Sequence, residues 1–533
     1  MDGDERARRL SRRQFVGSVV GATGLAVGAA AALIGLTRKA GRPITGGFVD
    51  DGGAIGHRIR DQRAIPPAVE RRTSSVVIIG AGVAGLSAAW ELDRRGMHDF
   101  TVLELEKDAG GNARSGVNDV SPYPWAAHYV PVPDARSTLV RELFTELGVL
   151  RDGTWDERYL CFSPQERLFM HGEWHPGIEP EFALDRKGRD DFARFDALMA
   201  QHRDSGEFTI PMELGVRRSS PLDRHTMADW MREHELTSPA LQWYVDYACR
   251  DDYGALARDT SAWAGVHYFA ARPHEDTGPL TWPQGNGWIV QRLMAKLGRY
   301  VQTNTPVLRV EQVARASRGR WRVHTPETTY IADAVIFAAP SFVAPYLVEG
   351  VAPERNARAY SPWLTANLTL ERWPEEHGGG THAATAPAWD NVIYDSPALG
   401  YVVATHQSLR AISARMERTV WTYYWSLAEH TPRAGRELLL EHDWAFWRDQ
   451  ILTDLARAHP DIRDCVSRID VMRMGHAMVR PTVGFLDGGA PRDRPPMPDR
   501  LYLANSDRSG LSLFEEAQHH GVAAARAALT VLG

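Results

Sequence analysis

The chain has 533 residues, 44% of them hydrophobic and 24% charged, with a net charge of −6. Such a composition supports a sizeable core in about two domains, and the lack of any basic run beyond residue 39 excludes a nucleic-acid binder. Cys161, Cys249 and Cys465 are too few for a disulfide framework and show no CxxC spacing.

The first element is the stretch LSRRQFVGSVVGATGLAVGAAAALIGL, residues 10–36. Its apolar part, residues 15–36, is long enough as a helix to span a membrane, at about 1.5 Å per residue. Arg6, Arg8, Arg9, Arg12 and Arg13 precede it, and Arg38 and Lys39 follow it. Ser11-Arg12-Arg13-Gln14-Phe15 resembles the twin-arginine export signal, with an ordinary membrane anchor as the alternative. The resemblance implies export by the twin-arginine machinery to the periplasm or the outer face of the cytoplasmic membrane. Residues 40–72, with Gly46-Gly47, Gly52-Gly53 and Pro66-Pro67, read as a linker.

Next comes SSVVIIGAGVAGLSAAWELDRRGMHDFTVLELEKDAGGNARSG. Residues 76–79 are a short apolar run, as in a strand buried on both faces of a parallel sheet. Gly80, Gly82 and Gly85 spell GxGxxG. Val83 and Ala84 open a helix that stops at Gly96, and a second strand over residues 100–105 carries Glu104. Each part serves a bound dinucleotide. Gly80 allows the tight turn, Gly82 admits the pyrophosphate, and Gly85 lets helix meet strand. The helix N-terminus attracts phosphate, and Glu104, at the expected spacing, accepts from ribose hydroxyls.

The pair Gly110-Gly111, six positions after Glu104, resembles the flavin-containing amine oxidase and phytoene desaturase superfamily. That resemblance implies FAD. Asn112 stands where Arg is usual, with Arg114 nearby. Two later stretches extend the likeness. In RYVQTNTPVLRVEQVARASRGRWRVHTPETTYIADAVIFAAP, Val307 matches the residue whose main chain meets adenine. In RLYLANSDRSGLSLFEEAQHHGVAAARAAL, Asp507 is the candidate for an acid near the pyrophosphate and ribityl chain, one residue later than in the family; a helix cap is its other use.

The resemblance implies that the flavin supplies the redox chemistry. Amine oxidases of the family place a lysine near the ring, whereas this chain has 57 arginines and four lysines, none after Lys296. Asn367, in SPWLTANLTLERW, stands near the lysine's place, which puts ordinary amine-oxidase chemistry in doubt. His128, in SPYPWAAHYVPVP, falls in the loop beside the ring and is a candidate proton carrier. His476, in GHAMVRP, is a second. Trp230, Trp243, Tyr244, Tyr247, Trp263, Tyr268, Tyr394, Trp421, Tyr423, Tyr424 and Trp425 would line a pocket for an apolar or cationic substrate, or else fill the core. His267, His274, His519 and His520 show no ligand spacing, so no metal is expected.

The expected fold is therefore α/β: a GxGxxG-type FAD-binding domain built on a doubly wound parallel sheet, with an inserted α+β substrate domain. The FAD segments are 73–118, 281–342 and 498–533; the substrate segments are 119–280 and 343–497; residues 1–39 are signal or anchor. The expected function is an exported FAD-dependent oxidoreductase that moves a hydride from a small organic or lipid-like molecule to flavin. A flavin-dependent isomerase and a non-catalytic flavin-binding envelope protein are the alternatives.

Overall fold

The computed structural model describes residues 43–49, 52–61, 69–216, 220–272, 278–313, 320–352, 358–377, 387–408, 416–486 and 498–533. The twin arginines and the apolar segment lie outside the described residues. Among the described residues no helix is long and apolar enough to cross a membrane.

Two large sheets carry the fold. Their strands begin with β1 (Thr45–Phe48), β2 (Glu70–Ile79), β3 (Phe100–Leu103), β4 (Glu166–Met170) and β5 (Glu173–Pro176). Next are β6 (Val301–Gln302), β7 (Arg309–Gln312), β8 (Trp321–His324) and β9 (Thr328–Phe337). The last are β10 (Ala359–Leu370), β11 (Asp390–Ile393), β12 (Gly400–Val403), β13 (Thr419–Trp425), β14 (Val466–Arg480) and β15 (Leu501–Leu503). Four helices shape the site: α1 (Val83–Arg94), α2 (Pro239–Tyr253), α3 (Pro432–Glu441) and α4 (Phe514–Leu532).

The first sheet has the order β6-β3-β2-β9-β8-β7, with β15 also pairing β9. At its centre Val76 lies between Phe100 of β3 and Ala334 of β9, all three strands running parallel. Val76, Val77 and Ile78 are fully buried, which explains their continuous apolar run. β8 and β7 run antiparallel, a departure from the all-parallel expectation. The reason is local. Thr325 N–H donates to Thr328 O, closing a turn too short for the crossover that parallel pairing needs.

α1 and α4 pack closely on this sheet. A Cβ at Gly521 of α4 would stand 2.2 Å from Ala84 O, so only glycine permits that approach.

The second sheet has the order β1-β14-β10-β13-β12-β11-β4-β5. β1 falls within the stretch read as a linker, yet it pairs in parallel with β14, Thr45 opposite Arg468. Thr-Gly-Gly-Phe has neither alternation nor β propensity to reveal it; the edge of β14 supplies the order. Helices Arg186–Asp204, Met227–Glu233, α2 and Ala262–Ala270 share a separate core around Phe195, Trp230, Leu241 and Trp263.

Candidate active site

β2 delivers the chain to Gly80, whose φ of 101° favours glycine, and α1 starts three residues later with Gly82 as its N-cap. A Cβ at Gly85 would lie 1.9 Å from Gly80 O, so helix and turn fit only without a side chain. Gly110 N–H donates to Ala81 O, and Gly82 bridges Gly110, which brings two glycine turns face to face. A Cβ at Gly82 would meet nothing nearer than Gly111 Cα at 4.0 Å. Glu104 organises this cradle: its Oε2 accepts from Ala81 N–H at 2.6 Å and its Oε1 from Glu106 N–H at 2.9 Å. Val83 begins α1, Ala84 is buried within it, and Val307 is buried beside Val77, Ile79 and Leu103.

Beyond the cradle lie two adjoining chambers of about 140 and 270 Å³. They share His128, Tyr129, Tyr247, Asp251, Arg272 and Asp390. Asn112, Ala127, Met474, Met478, Phe514 and Glu515 line the chamber that holds Trp363 and Tyr424, and Glu166 and Trp389 line the other. α2 explains part of this convergence: Tyr247 and Asp251 are four residues apart and so lie on one helix face.

The chambers are rich in carboxylate. Tyr129 OH donates to Asp251 at 3.2 Å, Tyr247 OH donates to Asp390 at 3.3 Å, and Arg272 Nη2 donates to Asp252 at 2.5 Å. Arg272 is the one cation among the described residues lining these chambers, against Asp251, Asp252, Asp390, Glu166 and Glu515. Burial, then the charge of Asp252, raises Asp251 to about 7. Burial raises Glu515 to about 7 and pushes Asp390 well above the carboxylate range, where Glu166 and Asp251 add to the effect. Buried like charges cannot all ionise together.

His128 stands at the junction. Its Nδ1 lies 3.0 Å from Ala126 O, an acceptor only, so Nδ1 carries the hydrogen and Nε2 is left with a lone pair. Its ring stacks on Tyr424 at 4.6 Å, and burial lowers its pKa to about 4.

The other expected residues are placed as follows. Asn367, on β10, donates to Pro124 O at 3.1 Å and accepts from Thr422 OH at 2.7 Å, so it braces the loop that leads to His128 and does not line the chambers. Asn112 lines the first chamber and donates to Ala477 O at 2.7 Å, joining the Gly110-Gly111 turn to β14. Asp507 accepts from Ser341 N–H and Tyr360 OH, both at 2.7 Å. His476 lines a different cavity, with Phe342 and Tyr360. Among the described residues no cluster suits a metal ion.

The model of a family described as flavin containing amine oxidoreductase matches residues 83–529. The chain belongs to this family. AofH of Mycobacterium tuberculosis, named as a flavin-containing monoamine oxidase, is 28% identical over 254 residues, which cover 45% of this chain and 52% of AofH. The chain thus spans about half the length of that curated relative. A solved putrescine oxidase bound to putrescine shares the fold with a TM-score of 0.62 at 16% identity, over 87% of this chain and 99% of that one. A fatty acid isomerase from P. acnes has a TM-score of 0.58 at 15% identity, over 84% and 97% of the two chains.

The cofactor of this flavoprotein family is FAD, and the residues present fit it. Gly80, Gly82, Gly85, Gly110 and Gly111 leave a side-chain-free cradle at a helix N-terminus. Next to it, Asn286 Oδ1, Trp363 Nε1 and Glu515 Oε2 are buried without a hydrogen-bond partner among the described residues, and all three line the first chamber. Orphaned polar atoms converging on one space mark a ligand site. Asp251, Asp252, Arg272, Asp390 and Glu515 escaped the sequence reading because they lie far apart in the chain, and each charge alone resembles an exposed one. The sequence CRDDYG, whose adjacent acids end a helix that buries Leu241, Val245, Tyr247 and Ala248, carried a hint.

Proposed function

We propose that this chain is an FAD-dependent oxidoreductase whose substrate is an organic cation. The observation that carries the reading is the convergence of five carboxylates on the chambers against one arginine, Asp252 and Glu515 buried and Asp251, Asp390 and Glu166 half-buried. A cation entering there offsets the burial and the mutual repulsion that hold protons on Asp251 and Asp390, while Tyr247, Tyr424 and Trp389 offer ring faces to it. Bound FAD supplies hydride acceptance. His128 is neutral, and its Nε2 keeps a lone pair that accepts a hydrogen bond from the substrate ammonium and orients it, while Asp251, raised to about 7 in the same chamber, is the stronger base and takes the proton that frees the nitrogen lone pair for C–H cleavage. None of the described lysines lines the chambers: Lys187 pairs with Asp191 and Lys296 with Glu146. The chamber carboxylates accordingly carry the proton traffic, with His128 positioning the nitrogen.

The deciding experiment is the visible spectrum of protein lacking residues 1–39, recorded without oxygen before and after addition of mono- and diamines, amino acids and unsaturated lipids. Bleaching by an amine supports the reading. Bleaching only by a lipid overturns the cation assignment. Turnover only after chemical reduction of the flavin would favour the isomerase reading, and a spectrum unmoved by every compound would favour a binding role.

We also propose that the chain folds around FAD in the cytoplasm and is then exported through the signal at Arg12 and Arg13. The support is the Ser11-Arg12-Arg13-Gln14-Phe15 sequence ahead of an apolar run. Replacing both arginines by lysine is expected to retain the protein inside the cell, and unchanged export would overturn this route.

A further inference from the structure

On the other side of β14 lies a second cavity, of about 520 Å³. Met474, Ala477 and Met478 of this strand line the first acidic chamber, whereas His476 lines the second cavity. The chemistry is inverted here. Arg358, Arg433 and Arg436 line it with His476, and among the described residues no aspartate or glutamate does. The nearby carboxylates are already engaged. Asp507 takes the N–H of Ser341 and the OH of Tyr360, and Glu437 pairs with Arg433 on the outer side of α3.

Three further features point to a ligand. Arg436 is partly buried and donates to Tyr360 O across a long 3.4 Å. Burial lowers its pKa, and Arg433 adds to the effect while Glu437 opposes it. Thr431 caps α3 through its bond to Ala434 N–H, and Thr431 and Pro432 line the cavity, so the positive end of a ten-residue helix opens on the same space. Aromatic rings wall the cavity: His476 stacks on Phe342 at 4.5 Å and 28°, and Tyr360 stands edge-on to Phe342 at 4.9 Å.

We propose that this cavity is a second ligand site, separate from the flavin chamber, for an anion carried on a planar apolar body, that is, an aryl carboxylate or an aryl phosphate. Guanidinium forks match the paired oxygens of either headgroup. The Phe342 and His476 rings take the flat portion, and the volume suits a small molecule.

The test uses FAD-loaded holoenzyme and isothermal titration with phenyl phosphate, benzoate and inorganic phosphate. One equivalent of phenyl phosphate or benzoate is expected to bind, more tightly than inorganic phosphate. Which of the two binds more tightly tells a phosphate site from a carboxylate site. Arg436→Gln should weaken binding by about tenfold or more, through loss of a charge-assisted fork. On wild-type protein alone, raising salt from about 0.05 to 0.3 M should weaken binding several-fold. Phenyl phosphate bound to the holoenzyme should not be displaced by a ligand that perturbs the flavin spectrum. Failure of both aryl anions to bind, an unchanged dissociation constant in Arg436→Gln, salt independence, or binding confined to FAD-free protein would each overturn the proposal.

Discussion

The two cavities flanking β14 are built from the same kinds of wall, aromatic rings beside a long strand, yet one collects carboxylates and the other guanidinium groups. They also treat charge differently. In the first, the charges are deeply buried and suppress one another's ionisation, so the chamber stores protons until a cation enters. In the second they stand closer to solvent and stay charged, so screening by salt governs them. Sign of charge alone would have made the cavities mirror images; depth makes one a site of proton-coupled binding and the other a site of simple attraction.

The largest effect on this contrast should come from Arg272→Leu. It leaves Asp252 buried without its partner, beside Asp251, and should cost about 3–5 kcal/mol, read as a lowered denaturant midpoint. An unmoved midpoint would show that these carboxylates are neutral whether or not the arginine is present. His128→Ala should keep FAD but slow its reduction by substrate about 10- to 100-fold, as expected when the lone pair that orients the reacting nitrogen is lost. Unchanged reduction in stopped flow would remove His128 from the mechanism.

Asp390→Asn should weaken binding of a cationic substrate by about 10- to 100-fold and leave phenyl phosphate binding alone. If both ligands weaken together, the cavities are not independent. A smaller effect is expected from pH. Asp251 has an ordinary value of 3.8 and sits near 7 when folded, so the native state holds the extra proton between those values. Its destabilising charge is thus absent near pH 4 and complete above pH 7, and stability falls across that window. Asp251→Asn should therefore lose less stability than the parent between pH 5 and 8, by about 1–3 kcal/mol in paired denaturant midpoints. The least effect belongs to Glu437→Gln, in the exposed pair with Arg433. It should leave the midpoint unmoved while tightening phenyl phosphate by about twofold, because one opposing charge is gone.

What could be read from the sequence follows the same division. The dinucleotide cradle was legible because its glycines, helix start and Glu104 lie within one stretch, where local spacing is itself the geometry. The antiparallel β8 and β7 were not, since hairpin and crossover look alike until the turn at Thr325 is seen to close. The acidic chambers needed α2, Arg272, Asp390 and Glu515 to meet across the fold, and no pattern within one element announces that meeting. Asn367 stood in the expected stretch, but its amide is spent on Pro124 and Thr422.

The contact between Gly521 and Ala84 also sets a timetable. α1, which opens the cradle, emerges early from the ribosome, whereas α4 and β15, which press against it and its sheet, emerge more than four hundred residues later. The half-made chain therefore has a phosphate-binding turn without its buttress, and FAD capture must wait until translation has nearly finished.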